Sequence, residues 1–228
     1  MPTPTGPEAY RAWRASPLGH VTDACEAAAL RPLIGDVAGR AVLDIGCGDG
    51  TLAAELARAG ARVTGLDPDA AMLRVAAARD IALVQGRIEA LPFATARFDL
   101  VTAVTVLCFV HDEATAWREM ARVLRPGGAL VIGELGRWNL WALRRRIRGW
   151  MGSRLWRSAV FHSAAQLRDA ATAAGLVVEE VRGAVFHPPS ATAARLTAGI
   201  DAALGRHTTF GAAFIALRAR KPAASTPG

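Results

Sequence analysis

The chain has 228 residues, 52% hydrophobic and 21% charged, with a formal net charge of +7. This length suits one α/β domain with a large core, and no uncharged apolar run reaches the roughly 18 residues that predict a membrane span. The start of the chain lacks a signal-peptide pattern, and three scattered cysteines without C-x-x-C argue against disulfides or zinc. We therefore expect a soluble, cytoplasmic protein without a metal.

The positive charge is concentrated in one segment. Seven arginines and no acidic residue lie between 137 and 157, whereas the other 20 basic residues match the 20 acidic ones. A local excess of this kind bears on binding partners rather than on the fold.

The N-terminal part of the chain predicts a helical cover over 8–36. Residues 1–7 are rich in Pro, Thr and Gly, which predicts a flexible start. Helical periodicity follows over two stretches, 8–13 and 22–34, and Pro17 and Gly19 are expected to separate them.

Strands and helices alternate from residue 41 onwards, which predicts a parallel sheet with helices on both faces. The predicted strands are 41–45, 62–67, 81–85, 98–104, 129–135, 177–186 and 211–220. The predicted helices are 51–60, 69–79, 112–124, 163–174 and 190–204. Pro126 to Gly128 reads as a tight turn before the fifth strand. Because no repeat or linker is visible, we expect one domain over 1–228 that ends in a flexible tail, 221–228.

The first strand runs into a glycine-rich turn, AVLDIGCGDG (41–50), and a helix is expected to begin at Thr51. Such a turn lets a nucleotide lie against bare backbone at a helix N-terminus. The third glycine comes one residue earlier than in G-x-G-x-x-G, and no Lys-Ser or Lys-Thr follows, so neither a dinucleotide fingerprint nor a P-loop is present. Asp44 ends this strand and Asp67 ends the next, where an acid can accept both hydroxyls of a ribose.

Four segments in order resemble the motifs of the class I S-adenosylmethionine-dependent methyltransferases. They are VLDIGCGDG, VTGLDPD, GRIEALPFATARFDLV and REMARVLRPGGALVIGEL, and together they cover 41–135. Within this family, the segments resemble more specifically the branch that methylates quinones, sterols and other small molecules. It implies a Rossmann-like seven-stranded, mostly parallel sheet with an antiparallel last strand, N-terminal helices and a helical insert after strand five. It also implies S-adenosyl-L-methionine as cofactor, with S-adenosyl-L-homocysteine as product.

By this resemblance, Gly46, Cys47 and Gly48 would lie under the methionine tail and Asp44 would face its ammonium group. Asp67 would bind the ribose hydroxyls, and the alternative for this residue is a helix N-cap.

The adenine would contact Pro68, Met72 and the segment Gly86, Arg87 and Ile88. The alternative for Met72 is that its side chain only fills space in the core. The family usually has an acid where this chain has Arg87, whose side chain only donates hydrogen bonds. We therefore expect backbone groups near Arg87 and Ile88 to contact the adenine, with the guanidinium stacked or turned outward.

The resemblance adds further residues around the cofactor and the acceptor. Ala103 and Val104 are expected beside the cofactor, and Tyr10 and Trp13 either close its pocket or pack on the surface.

Thr105 and Phe109 are expected beside the acceptor. Related enzymes often have two histidines where Cys108 and Phe109 stand, so no catalytic base is assigned. His111 is the nearest titratable candidate, with a core or helix-entry role as the alternative.

The insert RWNLWALRRRIRGWMGSRLWR (137–157) holds four of the six tryptophans. It is expected to form two helices, broken at Gly149 and Gly152, in a cap over 137–161. Leu140, Leu143, Ile147 and Trp150 fall at helical spacing.

Three interpretations of this insert stay open. It packs its tryptophans on the core with arginines in solvent, or it forms a lid whose Trp138 and Trp141 line an acceptor pocket. In the third, 137–157 contacts an anionic membrane or nucleic acid, although no RNA-binding module is visible.

The sequence therefore predicts methyl transfer by in-line SN2 displacement to a small acceptor, with an apolar acceptor as one option. One alternative is a non-catalytic protein that keeps the cofactor fold and presents its basic, tryptophan-rich surface to a partner. A nicotinamide-dependent oxidoreductase is a third hypothesis, disfavoured by the displaced glycine. The acceptor, the methylated atom and the oligomeric state are left open.

Overall fold

Seven strands form one sheet in the computed structural model, which describes residues 7–223, with side chains from residue 11. The strands are β1 (Ala41–Ile45), β2 (Arg62–Asp67), β3 (Ala82–Gln85), β4 (Phe98–Val104), β5 (Leu124–Leu135), β6 (Val177–Ala184) and β7 (Phe214–Arg220). Their order is β3-β2-β1-β4-β5-β7-β6, and β7 runs antiparallel to both of its neighbours. The predicted Rossmann-like, mostly parallel sheet with an antiparallel last strand is confirmed.

The helices connect these strands. They are α1 (Pro7–Arg14), α2 (Pro17–Ile34), α3 (Thr51–Arg58), α4 (Ala70–Ala76), α5 (Glu113–Val123), α6 (Leu140–Trp150), α7 (Arg154–Ser158), α8 (Ala164–Ala173) and α9 (Ala191–Gly205). Side chains of Asp69, Asp112, Asn139 and Ser163 cap the starts of α4, α5, α6 and α8. Within the described residues, none of these helices has the length and apolarity needed to cross a membrane.

Two apolar layers cover the two faces of the sheet. Leu43 of β1 packs in the layer that holds Trp117 of α5 and Leu167 of α8. Val42, the adjacent residue, points into the opposite layer with Leu33 of α2. Successive strand residues point to opposite faces, so a strand buried on both sides is apolar throughout. This arrangement leaves the carboxyl ends of β1, β2 and β4 side by side at one edge.

Helix α2 starts earlier than predicted, at Pro17, and contains Gly19. Ser16 caps it by accepting a hydrogen bond from the Gly19 N–H at 3.0 Å. The prediction that Pro17 and Gly19 separate the helices is wrong, because proline is well suited to the first turn of a helix. A Cβ at Gly19 would lie 2.1 Å from the Trp13 carbonyl oxygen, so glycine is what allows α1 to fold back on α2.

The predicted turn before the fifth strand is a bulge within β5. The pairing with β4 is irregular between Leu124 and Ala129, and Gly127 has φ +77°. The bulge binds Lys221, whose N–H donates to the Gly128 carbonyl and whose Nζ donates to two carbonyls of the α5–β5 junction. Lys221, which was predicted to begin the flexible tail, is therefore held by the bulge. Residues 1–6 and 224–228 lie outside the described part.

The insert forms two helices, as predicted, and the break lies at Gly152 (φ +102°), whereas Gly149 is inside α6. The interpretation that tryptophans pack on the core holds for Trp141, which is buried and donates from Nε1 to the His187 carbonyl at 2.9 Å. Trp138 and Trp150 are exposed instead. Periodicity identified the apolar stripe, but it could not tell which way the helix is rotated.

Arg145 departs from the first interpretation of the insert, in which the arginines lie in solvent. Its guanidinium carbon lies 5.4 Å from the Trp141 ring centre and 5.0 Å from that of Trp156. Its Nη1 is shielded from water and has no hydrogen-bond partner among the described residues. Stacking between two indoles takes this cation out of solvent.

Candidate functional site

A cleft of about 530 Å³ opens at the carboxyl ends of β1, β2 and β4. The predicted residues that line it are Asp44, Gly46, Cys47, Gly48, Asp67, Pro68, Met72, Arg87, Ile88, Val104, Thr105 and Phe109. The glycine turn forms its floor, and α2 covers it from above. The topology thus brings into one cleft side chains from four separate stretches of the sequence.

Other predicted residues do not line this cleft. They are Trp13, Gly86, Ala103, His111, Trp138 and Trp141. Ala103 is fully buried in the sheet, His111 is exposed, and Trp141 lies in the core. Tyr10 lies within α1, but its side chain is outside the described residues.

The glycine turn leaves its backbone bare toward the cleft. Gly46, Gly48 and Gly50 have φ values of +65°, +55° and +74°, a region that favours glycine. A Cβ at Gly46 would lie 2.4 Å from Val106 Cγ2, whereas a Cβ at Gly48 would meet no atom within 4 Å. The space beside Gly48 can therefore hold part of a ligand directly against the main chain.

Replacement of Gly46 by Ala is expected to cost about 1–3 kcal/mol in the free energy of unfolding, because alanine would have to adopt the positive φ of this turn and its Cβ would displace Val106. Urea denaturation measures this loss, and Gly39→Ala is the matched control. Gly39 also has a positive φ, of +71°, but no atom lies within 4 Å of its Cβ position. Equal losses in the two variants would rule out the contact with Val106 as a cause.

Asp67 is buried at the end of β2 and is held by backbone groups on both sides. Its Oδ2 accepts from the Gly48 N–H at 2.9 Å, and its Oδ1 accepts from the Asp69 N–H at 2.8 Å. The N-cap of α4 is Asp69, so the alternative that Asp67 caps this helix is wrong. A carboxylate oxygen accepts more than one hydrogen bond, so a fixed Asp67 can also accept from two neighbouring hydroxyls.

Asp44 is a buried carboxyl group at the end of β1. Its Oδ1 accepts from Thr102 Oγ1 at 2.7 Å. Burial raises its pKa to about 7, and the nearby charge of Asp67 raises it further, while the bond from Thr102 lowers it. A cation placed beside Asp44 would favour its ionised form, so the position is suited to an ammonium group.

Glu134 does not line the cleft but positions a loop that does, and the sequence reasoning missed it. It is fully buried at the end of β5 and accepts from the N–H groups of Val106, Leu107 and Cys108 at 3.0, 2.7 and 3.3 Å. These bonds fix the loop after β4, where Thr105 has φ +57°. The signal was a single acid in an otherwise apolar strand, which predicts a buried polar anchor.

Helix α2 contributes a second set of missed residues. Asp23, Glu26, Ala27, Leu30 and Ile34 all line the cleft. They follow helical spacing, so one face of α2 covers the site. Burial raises the pKa of Glu26 to about 8, and the charge of Asp23 raises it further, whereas Arg145 and Arg14 lower it.

Arg87 and Phe109 also line the cleft. The Arg87 guanidinium turns outward and pairs with Glu89 at 2.9 Å, one of the two orientations that we expected. Phe109 borders the cleft and contacts Trp156 of α7, with 6.5 Å between ring centres. The cap therefore contacts a wall of the cleft through Trp156, and the predicted Trp138 and Trp141 do not line the cleft.

These features fit S-adenosylmethionine. An open glycine backbone, a buried carboxyl group suited to an ammonium, and a fixed carboxylate one strand away match its amino-acid and sugar parts.

Comparison with known proteins agrees with this fit. The family model for a methyltransferase domain matches residues 43–132. An uncharacterised protein of Mycobacterium tuberculosis is 37% identical over 211 residues, covering 92% of this chain and 70% of the relative. A ubiquinone biosynthesis O-methyltransferase of a Methylobacterium species is 38% identical over 177 residues, covering 71% of this chain and 70% of that enzyme.

A solved structure shares the fold. An S-adenosylmethionine-dependent methyltransferase of Thermotoga maritima, described as a possible histamine N-methyltransferase, superposes with a TM-score of 0.74 at 23% identity, covering 94% of this chain and 95% of that one. The matches to the methyltransferase domain and to the Methylobacterium enzyme show that the hypothesis of a nicotinamide-dependent enzyme is wrong. The chain belongs to the small-molecule branch of the class I S-adenosylmethionine-dependent methyltransferases.

Proposed function

We propose that this methyltransferase transfers the methyl group to a hydroxyl of a small, largely apolar acceptor such as a phenol. The observation that carries the proposal is the composition of the upper cleft. Ala27, Leu30 and Ile34 of α2 face the same cleft as Val106 and Phe109. Such a wall suits an apolar ring and excludes water from its surroundings.

The same cleft holds the residues that would bind the cofactor. Gly46 and Gly48 would lie under the amino-acid tail, Asp44 would pair with its ammonium, and Asp67 would accept from the ribose hydroxyls. Pro68 and Met72 would contact the adenine. When bound, S-adenosylmethionine supplies a methyl group on a positively charged sulfur, ready for in-line displacement. The chain's contribution is then to hold the acceptor oxygen in line, which can supply several orders of magnitude in rate.

Glu26 is the residue we assign to accept the acceptor's proton. It lies in the covering helix, on the face that lines the cleft. Its pKa of about 8 lets a carboxyl group exchange a proton near neutral pH. The cysteines do not compete for this role, since burial raises the pKa of the Cys47 thiol to about 12 and that of Cys108 well above its usual value. His111 is exposed and does not line the cleft.

The Methylobacterium relative supports a hydroxyl acceptor, since it is named as a ubiquinone biosynthesis O-methyltransferase. A quinone precursor is an aromatic ring with ionisable hydroxyls, which is the kind of acceptor that we propose here.

The test is incubation with methyl-labelled S-adenosylmethionine and three matched acceptors: a catechol, an arylamine and a thiophenol that carry the same ring substituents. We expect label mainly in the catechol. Preference for the amine or the thiol would contradict the hydroxyl assignment. Cofactor binding by calorimetry, together with no transfer to any acceptor, would favour the non-catalytic alternative.

Replacement of Glu26 by Gln is expected to lower kcat at pH 8 about 10²–10⁴-fold, the usual contribution of a positioned base. In the native enzyme the rate should rise as pH increases through about 8, since Glu26 must lose its proton to act. The variant should lose this rise. A pH profile of kcat measures both effects, and Glu180→Gln, an exposed position on β6, is the matched control. An unchanged profile in Glu26→Gln would exclude this residue as the base.

A further inference from the structure

The first helix of the insert exposes a continuous apolar face. Leu140, Leu143, Ile147 and Trp150 lie on one side of α6 and are all exposed, with Trp150 at 82%. Met151, directly after the helix, is 80% exposed. Large apolar side chains at this density on one helix mark an interaction site.

Helix α9 and its flanking loop expose a second apolar face. Leu196 is 81% exposed and Ile200 and Leu204 follow it at helical spacing, while Phe210, beyond the helix, is 83% exposed. Single exposed apolar residues need no explanation, but repeated ones at spacing four form a stripe.

The segments on both sides of α9 contact α6 or its start. Arg144 Nη1 donates to the Pro189 carbonyl at 3.4 Å, before α9. Asn139 Nδ2 donates to the Ala212 carbonyl at 2.9 Å, after it, and Trp138 borders the same shallow depression as Phe210. We call residues 137–157 and 188–210 together the basic apolar surface.

The exposed charged side chains of this surface are all positive. Its single acidic residue, Asp201, is buried and accepts from the N–H groups of Val185 and Phe186 at 3.0 and 2.9 Å. The arginines exposed on it are Arg144, Arg148, Arg154, Arg157, Arg195 and Arg206. No exposed carboxylate within these two segments offsets them.

We propose that the basic apolar surface docks on an anionic lipid bilayer. Arginines that surround exposed tryptophans and aliphatic side chains suit the boundary between lipid headgroups and acyl chains. A second copy of the same surface would place arginines opposite arginines, which opposes a symmetric dimer. Nucleic acid would satisfy the charge but leave Leu143, Ile147 and Leu196 against phosphates. The proposal does not depend on which acceptor the enzyme uses.

The test is sedimentation of the full chain with phosphatidylcholine vesicles that contain or lack about one third phosphatidylglycerol. We expect at least about 10-fold tighter binding to the anionic vesicles, lowered by salt. The triple variant Leu143→Gln, Ile147→Gln, Trp150→Gln should lose at least about 10-fold in affinity because its apolar anchors are gone. The pair Arg154→Gln, Arg157→Gln should lose about 10-fold or more.

Matched controls change the same residue types elsewhere. Arg40→Gln with Arg58→Gln removes two exposed arginines outside the surface, and Val177→Gln removes an exposed apolar side chain on β6. Calorimetry with S-adenosylhomocysteine checks that every variant keeps its cleft. Equal binding to both vesicle types, or none, would overturn the proposal. A dimer that light scattering detects for the native chain but not for the triple variant would also overturn it. Tighter binding to a short RNA than to the anionic vesicles would do the same.

Discussion

Replacing Asp67 by Ala is expected to weaken binding of S-adenosylhomocysteine by about 100-fold or more. A charge-assisted hydrogen bond contributes about 1.5–3 kcal/mol, and under the proposed role of Asp67 the variant would lose two such bonds to the ribose hydroxyls. The Gly48 N–H would also lose its acceptor, which lies 2.9 Å away in the native chain. The glycine turn would then be less firmly held. Isothermal titration calorimetry measures the affinity.

The control for this variant is Asp112→Ala. Asp112 also accepts a backbone N–H, that of Thr115 at 3.0 Å, but it caps α5 and does not line the cleft. Loss of such a cap costs about 1 kcal/mol in stability and should leave the cofactor affinity unchanged. If Asp67→Ala stayed folded and bound S-adenosylhomocysteine as well as the native chain, the assigned role of Asp67 would be wrong.

Replacing Glu134 by Ala is expected to lower the free energy of unfolding by about 3–5 kcal/mol. Three N–H groups, two of them buried and one partly buried, would lose their common acceptor, and an unsatisfied buried donor costs about 1–3 kcal/mol. Glu134→Gln keeps one carbonyl oxygen as an acceptor, so its loss should be smaller. Urea denaturation measures both changes.

Glu180→Ala is the matched control, because Glu180 is exposed on β6 and surface substitutions usually change stability by less than about 0.5 kcal/mol. The loop that Glu134 holds contributes Val106 and Phe109 to the cleft, so Glu134→Gln should also raise KM for the acceptor. A fully stable Glu134→Ala protein would mean that the three N–H groups find other partners.

The fold and the lower half of the cleft could be predicted from the sequence because both depend on local patterns. Alternating strands and helices specify the sheet, and the glycine turn with Asp67 follows from the spacing of two adjacent strands. The start of β5 at Leu124, rather than at the predicted residue 129, could not be predicted, because the irregular pairing depends on β4, a neighbour in space.

The upper half of the cleft depends on how packed elements are rotated, which the sequence does not reveal. Glu26 lies on a helix face whose direction is set by packing of α2 on the sheet. The stripe of α6 was visible in the sequence, but Trp141, held by its bond to the His187 carbonyl, turns that stripe outward. The shielded Arg145 became apparent only once Trp141 and Trp156 were seen to sandwich it.

The contact between Phe109 and Trp156 links two parts of the molecule that have different surroundings. Phe109 borders the reaction cleft, and Trp156 belongs to the segment that carries the outward-facing Trp150 and Leu155. If that segment lies on a bilayer, as proposed, the contact between Trp156 and Phe109 would bring a wall of the cleft next to the lipid, and an acceptor dissolved in the bilayer would have a short path to the cleft. Poor solubility in water would then be no barrier to being a substrate.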